Sequence, residues 1–508
     1  MNHRGPTGRT LLGYSLTVLI SSALLLVLEI VAGRLAAPYV GVSLYTWTAI
    51  IGVILAGLSI GNWLGGVWAD RGAGPPAVGL VLAAGGLWCL LGLALLDLLG
   101  ATIQGRGLTL LQASFGFALV LFFVPAALIG VITPLLTTLA LRLDRRAGHV
   151  VGRMHALAAI GSIAGTFAAG WWLVQTIGSR AIVLSVGLAL LALAVPFLWR
   201  VKRTVQIGLG LLVLAAGLVL GLHGAMADSC DEESAYFCIR VVDRSADLPF
   251  GEARGLVLDH LLHSINHRQD PALLIAPYVQ ALDVLAQTRF GARYQAGLDW
   301  FFAGGGAYSL PRAVQAQSPA SQITVAELDP EVTRIARERL FLTPGNMRII
   351  HRDARVALRL EPGPFDVIVG DVFHDVAIPP HLITREFAAL VRERLIPDGL
   401  YLLNVVDAFP DPRLIKAVVK TLGTEFAHVD IWMEGAPEHE RVTFIVSATN
   451  GPPLPERIDA ASGLPRTWYR ATDAVMGFGI SPAQLPVLTD DYAPVEGLIA
   501  ELLIGTAD

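Results

Sequence analysis

Acidic residues are nearly missing from the first 227 residues, which hold 13 Lys or Arg against 4 Asp or Glu, whereas the remainder holds 24 and 38. Charged residues make up only 16% of the 508-residue chain and the mean hydropathy is +0.59. That combination excludes an ordinary soluble protein. Cysteine is scarce as well, with three in all. No Cys or acid completes a ligand set around His260, His263 and His267, which share a candidate helical face, so no metal is expected. The two parts carry +9 and −14, and so acidic a second part excludes nucleic acid as its partner.

Long apolar stretches with almost no charge recur at about 11–32, 44–68, 77–99, 108–141, 150–175, 181–199 and 205–222. Each can cross a bilayer as a helix, for which about 20 apolar residues suffice. Seven spans are expected, and Pro125 and Pro134 give the fourth a cause for a kink. The first stretch is too long for a signal peptide and has no small-residue cleavage site. Within the spans, Glu29 and Asp97 are costly unless they face a cavity or partner, or reach out from a span end. Gly65-Gly66, Gly85-Gly86 and the glycines from Gly161 to Gly170 would let helices approach closely.

The expected organisation is a transmembrane domain over 1–227, a β-rich lid and linker over 228–297, and an α/β domain over 298–508. A plasma (inner) membrane location follows from the spans. With seven of them, Arg4, Arg9, Arg71, Arg142, Arg145, Arg146, Arg200, Lys202 and Arg203 fall on one side, and Arg34, Arg106 and Arg180 on the other. The positive-inside rule then puts the second part outside. A disulfide between Cys230 and Cys238 would agree, since it needs an oxidising compartment, while Cys89 in a span reads as packing. A nucleoside cofactor argues for the cytoplasm, so the side stays open.

In the second part, apolar runs at 298–303, 323–327, 347–350, 365–370 and 400–405 alternate with helical patterns at 331–340, 355–360 and 385–395. This is the pattern of a doubly wound α/β sheet. A further helix at 413–422 and two strands at 428–433 and 441–448 close it, and strands at 235–242 and 255–258 precede it. Gly304, Gly305 and Gly306 follow the first strand of this sheet, and Glu327 ends the second. Asp353 and Ala354 follow the third, and Asp371 ends the fourth. Ligands of open α/β sheets bind outside the carboxyl ends of the strands, where glycines admit a cofactor and an acid about 20 residues on takes ribose hydroxyls.

Over about 234–405 this order resembles the polyamine aminopropyltransferases, the spermidine synthase family, and the whole chain resembles its membrane-fused branch. The resemblance implies an S-adenosylmethionine-type Rossmann fold with a small N-terminal β-hairpin lid. It also implies transfer of an aminopropyl group from decarboxylated S-adenosylmethionine to an amine. Gly304, Gly305, Gly306, Glu327, Asp353 and Ala354 would hold the donor and Asp371 would be the catalytic base. Tyr236, Tyr278, His374, Asp375, Asp490 and Asp491 would meet the substrate, although Asp490 and Asp491 also read as a turn.

The chain departs from the family at Ala307, where an Asp is usual, and at Phe237, Val279-Gln280 and His374. These changes spare the nucleoside half of the site and alter the half that sees the transferred chain. The acceptor is accordingly left as a polyamine or another amine-bearing small molecule or lipid, and a homo-oligomer stays open. Two alternatives remain. One is a polyamine-binding transporter or sensor with a repurposed synthase domain, and the other is a methyltransferase-like enzyme that uses S-adenosylmethionine itself.

Overall fold

Apolar sequence over 20 or more residues at a time builds helices before it builds anything else, because a helix satisfies its own backbone. The computed structural model describes residues 6–104, 108–199, 201–222, 230–248, 250–373, 377–437, 441–461 and 463–504. Arg4, Arg106 and Arg200 of the charge asymmetry lie outside the described residues. The chain forms two compact units, Met1–Cys238 and Ile239–Asp508.

Among the described residues the first unit holds seven helices long and apolar enough to cross a membrane: Gly8–Val40, Leu44–Asp70, Pro75–Leu96, Leu110–Leu143, Ala147–Leu173, Ser179–Leu198 and Arg203–Leu222. Their contacts are made by backbone as much as by side chains. A Cβ on Gly161 or Gly165 of the fifth span would collide with the carbonyls of Leu19 and Ala23 on the first. One on Gly65 would lie 2.6 Å from Val131 O, and one on Gly86 2.6 Å from Gly187 O. A Cβ on Gly66 or Gly170 would meet nothing within 4 Å among the described residues, so the glycine reading holds only for the face that meets another helix.

In the fourth span a π-helical turn over Leu119–Phe123 precedes Pro125. The wider turn accommodates the proline's missing N–H within a continuous helix. After the seventh span, Cys230 and Cys238 form a disulfide with Cα atoms 5.3 Å apart. The short strand β1 (Glu232–Glu233) lies in the loop they close, and Ser179 of the sixth span donates its N–H and Oγ–H to Glu233 Oε2 at 2.8 and 2.9 Å.

The second unit begins with the antiparallel strands β2 (Cys238–Asp243), β3 (Ala253–Leu258) and β4 (Leu261–His267). The helical face expected for the three histidines is corrected here. Asp259 adopts a left-handed conformation (φ 54°) and turns the chain at His260, so that His263 and His267 lie on a strand.

The main sheet follows: β5 (Asp299–Ala303), β6 (Gln322–Glu327), β7 (Arg348–His351), β8 (Phe365–Gly370), β9 (Leu395–Ala408), β10 (His428–Met433), β11 (Arg441–Thr449), β12 (Arg457–Asp459) and β13 (Thr467–Arg470). Its spatial order is β12-β13-β10-β11-β9-β8-β5-β6-β7. The five strands from β7 to β9 run parallel, and the rest close antiparallel. This is the doubly wound sheet, with β12 and β13 added at the antiparallel edge.

Helices cover both faces, so the central strand β5 is apolar after its exposed first residue Asp299, with Trp300, Phe301 and Phe302 all buried. Each such side chain contributes roughly 1.5–3 kcal/mol by leaving water. Three helix starts are set by the polar side chain directly before the helix. Asp329 accepts the N–H of Glu331, Asp353 that of Val356, and Thr384 that of Phe387.

Candidate functional site at the carboxyl edge of the sheet

Strand register alone assembles the site. Ala326, Ala303, Gly370 and Leu403 lie side by side across β6, β5, β8 and β9. The residue that follows each is therefore in one row: Glu327, Gly304, Asp371 and Asn404. Two backbone bonds extend the ladder past the strands, Gly304 N–H to Ala326 O at 2.9 Å and Asp371 N–H to Ala303 O at 3.0 Å. Gly304 has φ +91°, and a Cβ there would strike Asp371 O. Only glycine fits the turn where β5 and β8 converge.

The glycine turn is tied to the acid that ends β6. Glu327 Oε2 accepts the N–H groups of Gly305 (2.8 Å) and Gly306 (3.2 Å), and Oε1 accepts that of Asp329 (2.9 Å). Glu327 is buried, and burial pushes its carboxyl up while these three amides pull it down. The sequence places the glycine amides toward a cofactor. In the structure two of them are spent on Glu327, which presents the acid and the turn as one rigid piece.

Asp371 lines a cavity together with this turn, His263, Ser264, Tyr278 and Ser309. Asn404 Nδ2 donates to Asp371 Oδ1 at 3.0 Å. Burial pushes the Asp371 carboxyl up to about 6, against the hydrogen bond from Asn404 and the contact with Tyr278. The Tyr278 hydroxyl donates to His263 O at 2.6 Å, and its own acidity is suppressed by burial and by Asp371. Burial holds the imidazoles of His260 and His263 down to about 4. Both rings are neutral at pH 7. Among the described residues no cluster of His, Cys, Asp or Glu has the grouping of a metal site.

The other expected residues gather elsewhere. Asp353 Oδ1 caps the helix Ala354–Leu360, and its Oδ2 lies 2.8 Å from His381 Nε2. Asp490 forms a two-pronged ion pair with Arg355 of that helix, both contacts 2.7 Å, and accepts from Thr384 Oγ1. Arg355 holds the Asp490 carboxyl down to about 2. With both oxygens occupied, Asp490 fixes the C-terminal segment to the helix after β7. Asp491 is exposed, Tyr236 is an exposed residue of the first unit, and His374 and Asp375 lie outside the described residues.

Residues outside the expected set line the cavity or bond to its lining. Asn404 is the polar interruption in the apolar run of β9, and that interruption was a readable signal. His263, Ser264 and Asn266 became legible only once their segment was seen to be a strand beside the glycine turn.

No family model matches the chain. Over 105 residues it is 35% identical to a polyamine aminopropyltransferase of Vibrio vulnificus, a match covering 20% of this chain and 34% of that protein. The chain thus spans about a third of that relative's length. It is 25% identical over 475 residues to polyamine aminopropyltransferase 1 of Streptomyces coelicolor, covering 86% of this chain and 84% of the relative. Among solved structures it is similar to a probable spermidine synthase from Corynebacterium glutamicum, at 22% identity and a TM-score of 0.41 over 50% of this chain and 98% of that one.

Because Gly304 is pinned by its positive φ and by the Asp371 backbone, Gly304→Ala is expected to cost about 1–3 kcal/mol. Thermal unfolding of the purified full chain would show a lowered midpoint for the second unit, and an unchanged midpoint would mean that the turn is not held as described. The chain is similar to the polyamine aminopropyltransferases.

Proposed function

We propose that the chain is a membrane-bound transferase that moves an aminopropyl group from decarboxylated S-adenosylmethionine to an amine, a polyamine or an amine-bearing lipid. The observation that carries this reading is Asp371. It is a carboxylate at the end of β8, facing a glycine turn, with an acidity moved toward neutrality by burial. The relatives named polyamine aminopropyltransferase support the same reaction class.

The reaction needs what this residue supplies. Aliphatic amines near pH 7 are mostly protonated, and only the neutral form has a lone pair with which to attack. The amine nitrogen attacks the carbon next to the sulfonium, a C–N bond forms and the C–S bond breaks. The bonding pair goes to sulfur, which leaves as the thioether of methylthioadenosine. The proton released from nitrogen goes to an Asp371 carboxylate oxygen. Asn404 holds one oxygen of Asp371 in place for this transfer. Glu327, with Gly304–Gly306, would hold the ribose end of the donor, and Asp353 and Ala354 its base.

The seven apolar helices support a multi-pass plasma-membrane protein. Arg71, the group Arg142, Arg145 and Arg146, and the pair Lys202 and Arg203 follow even-numbered spans, the arrangement of a cytoplasmic face. The Cys230–Cys238 disulfide belongs to an oxidising compartment. Both features favour a second unit that faces away from the cytoplasm.

Because the folded-state pKa of Asp371 is raised to about 6, its ionised fraction, and with it kcat/KM, should fall as pH drops through about 6. Asp371→Asn should lower kcat by about 10²–10⁴-fold and abolish that acidic limb. Methylthioadenosine release measured from pH 5 to 8 tests this, and a limb that persists in the variant would remove Asp371 as the base. For the topology, a membrane-impermeant maleimide should label Cys230 and Cys238 in intact reduced cells. Labelling only after lysis would reverse the orientation.

A further inference from the structure

We infer that Ser264 is a second substrate-binding acceptor in the cavity, and that it takes an N–H of the attacking amine beside Asp371. Ser309 and Asn266 act behind it as positioning residues. The inference rests on the proposed transfer reaction and names a contact that the reaction does not by itself require.

The argument follows the protons. Asn266 is 2% exposed on β4. Its Nδ2 donates to two backbone carbonyls, Ala307 O at 2.7 Å and Leu340 O at 2.9 Å. Carbonyls only accept, so the amide has a single orientation and its Oδ1 faces the other way. Ser309 Oγ–H donates to that Oδ1 at 2.6 Å. A serine hydroxyl has one proton, so the 2.6 Å contact between Ser264 Oγ and Ser309 Oγ must carry the proton of Ser264. Ser264 is left with lone pairs alone. The Tyr278 hydroxyl touches both Ser264 and Asp371, but it donates its one proton to His263 O and so does not occupy the Ser264 lone pairs as a donor.

Ser264, Tyr278 and Asp371 line one cavity with the glycine turn. A ligand group that meets Ser264 there must therefore be a hydrogen-bond donor, and one that also meets Asp371 must have two hydrogens to give. A primary amine fits this pair. With one N–H on Asp371 and one on Ser264, its lone pair is aimed away from both acceptors, toward the carbon under attack. Ala307, whose carbonyl is held by Asn266, ties this chain to the same turn that faces the donor.

The test measures binding separately from turnover, with full-length protein in detergent. Titration calorimetry with 1,4-diaminobutane and with decarboxylated S-adenosylmethionine is run on wild type, Ser264→Ala, Ser309→Ala, the double variant and Ser309→Thr. Ser264→Ala should weaken amine binding roughly tenfold, the loss of one hydrogen bond. Donor affinity should stay within about twofold, and KM for the amine should rise while kcat changes little.

Ser309→Ala should weaken the amine in the same direction, the double variant should be no worse than Ser264→Ala, and Ser309→Thr should restore binding. Unchanged amine affinity in Ser264→Ala, a loss in donor affinity instead, or additive losses in the double variant would each overturn the inference while leaving the transfer reaction standing. A wild-type protein that binds neither compound would overturn both.

Discussion

The approach of two strand ends, β5 at Gly304 and β8 at Asp371, is the constraint on which the candidate site depends. Each end borrows a backbone bond from its neighbour, Gly304 from Ala326 and Asp371 from Ala303. The absence of a side chain at Gly304 permits the contact. Glu327 then locks the next two amides of the turn. A buried carboxylate is costly alone, and the three N–H groups it accepts offset that cost. The glycines and the acid that read in sequence as separate ligands are one structural unit.

The electrostatics of the cavity follow from the same geometry. Asp371 is close enough to the sheet to lose water, and its partners Asn404 and Tyr278 are neutral, so nothing returns its acidity to the ordinary carboxylate range. The Arg355 that holds Asp490 to about 2 is paired elsewhere. The two carboxylates are thus set apart by environment, with a charged one serving as a fastening and one whose acidity is moved toward neutrality in the cavity. Neutral His263 adds polarity without a competing cation.

The fold was legible because its signals repeat: seven apolar stretches, then apolar runs alternating with helical patterns that carry their own caps, such as Asp329, Asp353 and Thr384. The row Gly304, Glu327 and Asp371 was legible because strand ends in a parallel sheet share an edge. What could not be read was where side-chain partners lie. Asp490 stands 135 positions from Arg355, and no spacing rule links them. The segment from Leu261 to His267 has histidines at intervals that fit a helix. Only the left-handed turn at Asp259 makes it a strand and brings Ser264 and Asn266 to the glycine turn. Short strands such as β12 and β13 have too few residues to show a period, so the antiparallel edge extends further than the pattern implied.

The central claim is the identity of the group transferred. Purified wild-type protein would be incubated with 1,4-diaminobutane and either decarboxylated S-adenosylmethionine or S-adenosylmethionine, and the products weighed by mass spectrometry. The account predicts methylthioadenosine and an amine heavier by one aminopropyl unit, formed only with the decarboxylated donor. A methylated product formed from S-adenosylmethionine, or no transfer with either donor in folded protein, would contradict it.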